Sequence, residues 1–218
     1  MAAPETSPPR NEERLFLSLV IGLVLVAGLG AWGVSYALSR REQTHGLPPD
    51  RPRTLGDFVL TNTSGATITR ADLRGKILVV SFLFTSCSLT CPEVTKHMAE
   101  IQRLTAGQRD VRLVSLTVDP RDDTVGVLAK YGARFGADPG RWQLLTGDKT
   151  VLYGLIAASF LSQDADDPFS YMPGNFSHTE RLAVVDAHGR VSAYFDGMRN
   201  DVAAVVLAEI ARLRQSSL

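Results

Sequence analysis

Residues 76–98 read KILVVSFLFTSCSLTCPEVTKHM, and this stretch decides the fold. Its first part, residues 77–84, is almost unbroken apolar and rich in β-branched and aromatic side chains, the pattern of a strand buried on both faces of a parallel-type sheet. Cys87 and Cys91, the only cysteines of the chain, follow at once, and Pro92 suits the first turn of a helix. The reading is strand, thiol-bearing turn, helix. Such a turn lies at the carboxyl end of a central strand, where open α/β sheets place their ligands. A helix N-terminus there favours thiolate over thiol. A chain that uses cysteine twice, four residues apart beside a helix start, is not distributing it as packing filler.

That spacing sets both sulfurs on one side of a helical turn. They can close a disulfide or grip one metal ion together. Two cysteines do not complete a structural zinc site, so any metal site here recruits a distant histidine or carboxylate.

The segment FTSCSLTCP, residues 84–92, resembles the copper-binding CxxxCP motif of the SCO/SenC family, membrane-anchored thioredoxin-fold proteins that deliver copper to the binuclear copper site of cytochrome c oxidase. Three further stretches resemble the same family in the same order: VSLTVDPRDDT at 114–124, WQLLTG at 142–147 and SHTERLAVVDAHGRV at 177–191. The likeness covers residues 54–214. It implies Cys87, Cys91 and His178 as copper ligands, and it carries a functional aspartate, backing the ligands, onto Asp119. Ser88 and Leu89 stand where the family commonly has proline and an acidic residue, and Ser177 where aspartate often precedes the histidine. All three implied ligands remain in place.

Outward from this core, the chain of 218 residues, 44 % hydrophobic, has room for one ordinary domain and an appendage. Its formal net charge of zero suggests no nucleic-acid partner. Residues 1–14 are polar and Pro-rich and read as a disordered tail. Residues 15–38 carry no charge and suffice to cross about 30 Å of hydrocarbon, so they are expected to form a transmembrane anchor. A cleaved signal peptide is the competing reading, but the apolar run exceeds the usual core of about 7–15 residues. Trp32 and Tyr36 suit an interfacial belt. Arginines flank both ends, with more beyond the outer one, yet long domains translocate regardless of nearby charge. The expected location is a bacterial inner membrane with the domain on the periplasmic face. The absence of an Arg-rich, acid-poor leader argues against a mitochondrial membrane. Residues 39–53, with three prolines, read as a semi-rigid spacer containing a solvated His45.

The domain, residues 54–218, reads as a β-hairpin, then β-α-β-α-β-α, then β-β-α. This is an α/β thioredoxin-like sheet flanked by helices, with an N-terminal hairpin and an inserted loop. In the helix after Pro92, Met98 falls on the apolar face with Val94, Ile101 and Leu104 and is read as core. His97 is expected to be solvated or to support the site from behind. Residues 111–118 form the next buried strand, ending at Asp119-Pro120. A carboxylate there lies near the thiols; it equally suits a helix cap, a role open to Asp122 and Thr124 as well. Trp142 is read as core and His188 as an exposed turn residue. The loop 162–177, with Phe169, Tyr171, Met172 and Phe176, is long for a compact domain and ends at His178.

Two thiolates and one imidazole make a soft set that suits Cu(I) through sulfur and Cu(II) through mixed donors. Zinc also accepts such a set with an open fourth position. The expectation is a chaperone that binds and passes on copper, with cytochrome c oxidase as recipient. The alternative is a thiol-disulfide oxidoreductase in which Cys87 and Cys91 are catalytic and a separate thiol reductant resets them. Against it, the spacing is CxxxC rather than CxxC, and residues 177–180 hold no proline.

Overall fold

The computed structural model describes residues 16, 18–32, 46–49, 51–160 and 180–216. The chain divides into two compact units, Met1–Thr44 and His45–Leu218. In the first, residues 18–32 form helix α1, whose Leu19, Leu23, Val26, Leu29 and Trp32 are exposed. The expected anchor, residues 15–38, extends beyond the described residues at both ends. Among those described, no helix is long and apolar enough to cross a membrane.

The second unit is one seven-stranded mixed sheet in the order β2-β1-β5-β4-β3-β6-β7. The apolar run of residues 77–84 becomes β3 (Ile77–Leu83), buried at every position. It sits between β4 (Val111–Thr117), parallel to it, and β6 (Arg181–Val185), antiparallel. Beyond β4 lie parallel β5 (Trp142–Thr146) and the hairpin of β1 (Val59–Asn62) and β2 (Thr67–Thr69). Beyond β6 lies β7 (Val191–Asp196). The β6–β7 turn is closed by the Asp186 carboxylate, which accepts from the His188 and Arg190 amides at 2.9 and 2.8 Å. Gly189 supplies the positive φ of 86° that this turn needs.

Side chains of β3 alternate between two cores, as a period of two demands. Ile77, Val79 and Leu83 pack with α2 (Thr90–Leu104), α3 (Val125–Arg134) and α5 (Val202–Gln215). Leu78, Val80 and Phe82 face α4 (Lys149–Ser159) and Leu55, Phe58 and Leu60. A parallel pair needs a crossover, and here each crossover is a helix. The order of elements is the one expected, and it yields a thioredoxin-like sheet flanked by helices.

Two expectations of core packing hold: Met98 is fully buried, and so is Trp142, whose indole N–H donates to Ser115 Oγ at 2.9 Å. Thr124, one of the three cap candidates, caps α3 by accepting from the Val127 amide at 3.4 Å. Part of the segment read as spacer lies along the sheet. Leu47 exchanges two backbone hydrogen bonds of 2.8 Å with Tyr194, and Arg53 is buried with its carbonyl accepting from the Val191 amide at 2.9 Å. These contacts cover the free edge of β7.

Candidate metal centre

The thiols sit where the end of β3 turns into α2. Chain direction explains the placement: β3 and β4 run parallel, so Leu83 and Thr117 both lie at the carboxyl end of the sheet, joined by the Val118 amide donating to the Leu83 carbonyl at 2.8 Å. Antiparallel β6 starts at that same end, since Val80 is opposite Ala183 and Leu78 opposite Val185. The chain therefore re-enters the sheet beside the strand that delivers the cysteines.

Cys87 is half-buried and Cys91 buried, and both are free thiols. The two are not equivalent. Burial acts to raise the Cys87 thiol, but hydrogen bonds from the Cys91 and Leu89 amides, the Cys91 thiol and the Thr90 amide outweigh it and bring it down to about 7. These amides belong to the unpaired first turn of α2, whose partial positive charge favours an anion. Burial pushes the Cys91 thiol up to about 12. Hydrogen bonding at Phe84 opposes the rise, and the Cys87 sulfur and the Asp123 charge add to it. The helix start favours thiolate at Cys87, and burial favours the thiol at Cys91.

Asp123 was not singled out by sequence reasoning. It is only 1 % exposed, and it accepts from the Thr85 amide at 3.1 Å, the Thr85 hydroxyl at 2.5 Å and the Thr117 hydroxyl. It thus ties the turn before Cys87 to the end of β4. The signal lay in the stretch 119–123, but nothing in the spacing separates Asp119 from Asp122 or Asp123. Asp119 itself builds the turn after β4: its carbonyl accepts from the Asp122 and Asp123 amides at 3.2 and 2.9 Å, and its amide donates to Thr117 Oγ1 at 2.9 Å. It stands at the same end of the sheet as the thiols. Tyr131 closes the site from α3. Its hydroxyl meets Thr95 Oγ1 at 2.8 Å, and Thr95 in turn donates to the Cys91 carbonyl at 2.6 Å. Burial pushes the Tyr131 phenol up to about 12, and the nearby cysteines add to that rise.

His178, the implied third ligand, lies outside the described residues, as do loop 162–177 and His45. Among the described residues no three metal-binding side chains converge. His97 is buried rather than solvated: its Nδ1 lies 2.8 Å from the Gly197 carbonyl, because the turn between β7 and α5 covers that face of α2. His188 is exposed, as expected.

A dithiol at a helix start, at the carboxyl end of the central strand of a thioredoxin-like sheet, defines the class. The sequence profile of the SCO1/SenC family matches residues 48–215, and the chain belongs to that family. It is 35 % identical over 91 residues to the SCO1 protein homolog of Bacillus subtilis, a match spanning 41 % of this chain and 47 % of that protein. Among solved structures it resembles a SCO1/SenC family lipoprotein from Bacillus anthracis, with a TM-score of 0.63 and 27 % identity over 76 % of this chain and 98 % of that one. It also shares its fold with Bradyrhizobium japonicum ScoI, solved with copper bound, at a TM-score of 0.57 and 24 % identity over 73 % and 99 % of the two chains.

Proposed function

We propose that this chain is a membrane-anchored copper chaperone that holds copper through Cys87, Cys91 and His178 and delivers it to the binuclear copper site of cytochrome c oxidase. The observation that carries the proposal is the unequal pair of thiols at the carboxyl end of β3, facing the start of β6. Family membership supports copper as the cargo and oxidase assembly as the setting. The donor set fits the ion: two sulfurs suit Cu(I), and adding an imidazole suits Cu(II).

Cys87, whose thiol the amides at the helix start bring down to about 7, supplies the first bond. Cys91 must release its proton to supply the second, so binding frees protons and strengthens as pH rises. His178 is the donor a recipient displaces first, while Asp119 backs the ligands. A disulfide between the cysteines removes both thiolates and abolishes binding. Residues 15–38 anchor the chain in a bacterial inner membrane with the domain on the periplasmic face.

The same asymmetry favours a second reading, a thiol-disulfide oxidoreductase. The Cys87 thiolate attacks a partner's disulfide and releases one partner thiolate. Cys91, losing its proton, then attacks the Cys87 sulfur and releases the other. The partner gains two electrons, this chain ends as a disulfide, and an external thiol reductant must reset it.

Titration of the reduced full chain with Cu(I) and Cu(II) separates the two. A chaperone binds one equivalent, and His178→Ala weakens Cu(II) more than Cu(I). Rapid turnover of a protein disulfide by parent and variant alike, without tight copper binding, supports the oxidoreductase instead.

A further inference from the structure

Two segments at the amino end of β3 and β4, opposite the thiols, carry an excess of positive charge. Residues 70–76 (RADLRGK) lead into β3 and residues 105–112 (TAGQRDVR) lead into β4, and between them they hold five cations and two carboxylates. They are neighbours, because Ile77 pairs with Val111 and its amide donates to the Asp110 carbonyl at 2.8 Å. Both carboxylates are engaged: Asp72 accepts from the Thr69 amide and hydroxyl at 2.8 and 2.6 Å, and Asp110 pairs with Arg214 of α5 at 2.7 Å. Arg70 reaches Asp57 at 3.5 Å. Among the described residues, no carboxylate lies within ion-pair distance of Arg74, Lys76, Arg109 or Arg112. Instead Lys76 Nζ and Arg112 Nη1 both donate to one oxygen, the Arg109 carbonyl, at 3.2 and 3.1 Å. Like charges gathered on a single oxygen repel, and an anion outside the protein relieves that repulsion. Arg74 and Arg109 beside them are exposed. No large apolar side chain of either segment is exposed, so this surface lacks the apolar centre of a protein interface. At the opposite end the segment after β4, residues 119–123, holds three carboxylates and one cation.

We propose that this basic end docks on the anionic headgroups of a phospholipid bilayer and so turns the thiol end away from the lipid. The inference goes beyond copper binding and rests on the anchor proposed above, which keeps the domain beside a membrane. A tether makes docking intramolecular, so a small patch of cations suffices. Each Lys or Arg near an anionic surface strengthens the association about fivefold, and salt screens it over a Debye length of about 8 Å. The same surface repels the carboxylates of residues 119–123, which fixes the orientation.

The test embeds the reduced full chain in lipid nanodiscs of phosphatidylcholine, alone or with added phosphatidylglycerol, and follows arginine modification by a neutral dicarbonyl reagent with peptide mass analysis. Arg74 and Arg109 are expected to react about fivefold or more slowly in the anionic discs, while Arg121, exposed at the thiol end, reacts alike in both. High salt removes the protection. Arg74→Gln, at an exposed position without an ion pair, keeps the parent's unfolding midpoint and reduces the protection of Arg109 about fivefold. If Arg74→Gln lowers that midpoint, Arg109→Gln read at Arg74 decides in its place. Equal modification of Arg74 and Arg109 in the two kinds of disc, or equal slowing of Arg121, overturns the proposal. Protection of Arg109 by inorganic phosphate in phosphatidylcholine discs marks a small-anion site and overturns it as well. A chain that does not enter the discs overturns the anchor and the docking together, whereas one that enters and shows no lipid-dependent protection overturns the docking alone.

Discussion

Cys87 and Cys91 differ because Cys87 lies in the loop just before α2 and Cys91 in the first turn of the helix. Cys87 meets the unpaired amides of the first turn, while Cys91 is inside the core beside a buried carboxylate. Alkylation of the reduced, copper-free chain followed by peptide mass analysis should show Cys87 reacting with a midpoint near pH 7, as thiolate appears on raising the pH through its lowered value. Cys91 should stay unmodified well above that, its thiol being held up to about 12. Two cysteines titrating together near the ordinary value of about 8.5 would contradict the assignment. Asp123 is the second test at this scale. Asp123→Ala leaves the Thr85 amide and the Thr85 and Thr117 hydroxyls without their acceptor. It should cost roughly 2–3 kcal/mol in denaturant unfolding, in line with about 1–3 kcal/mol for an unsatisfied buried group. Asp123→Asn removes the charge that opposes the Cys91 thiolate and should make Cys91 alkylate faster than in the parent.

Of the elements, β3 and α2 were the most legible in the sequence, for a physical reason. An apolar β-branched run has few alternatives to a buried strand, and proline after the second cysteine restricts where a helix can begin. Met98 fell on the apolar stripe of α2 and lies in the core at 0 % exposure. Met98→Ala should therefore destabilise the chain by about 2–5 kcal/mol while the copper stoichiometry is unchanged. A lost equivalent of copper would make Met98 a ligand. What sequence did not disclose was tertiary in origin. The burial of His97 depends on a turn a hundred positions away, and no helical periodicity reports what covers a given face. Asp123 looked like its neighbours because its partners come from the ends of two strands rather than from its own segment.

For the whole molecule, composition was a good guide to a single sheet and a poor one to where the folded part begins. Residues 39–53 look like a spacer because they are polar and Pro-rich, yet within them the backbone of Leu47 and of Arg53 pairs with β7. Backbone pairing leaves no compositional mark. A chain beginning at His45 should unfold cooperatively and bind copper as the full chain does. One beginning at Gly56 loses the Leu47, Arg53 and Leu55 contacts and should melt several degrees lower in a thermal scan, since about 1 kcal/mol shifts the midpoint of a 150-residue domain by roughly 2–4 °C. Equal midpoints would show that the strap on β7 contributes nothing.

The account turns on what surrounds the metal, and X-ray absorption at the copper edge of the loaded full chain reads that directly. The parent should show two sulfur neighbours together with the outer-shell scattering of one imidazole, and His178→Ala should keep the sulfurs and lose the imidazole. A spectrum without sulfur, or an imidazole signal that survives His178→Ala, would contradict the assignment of Cys87, Cys91 and His178 as the copper ligands.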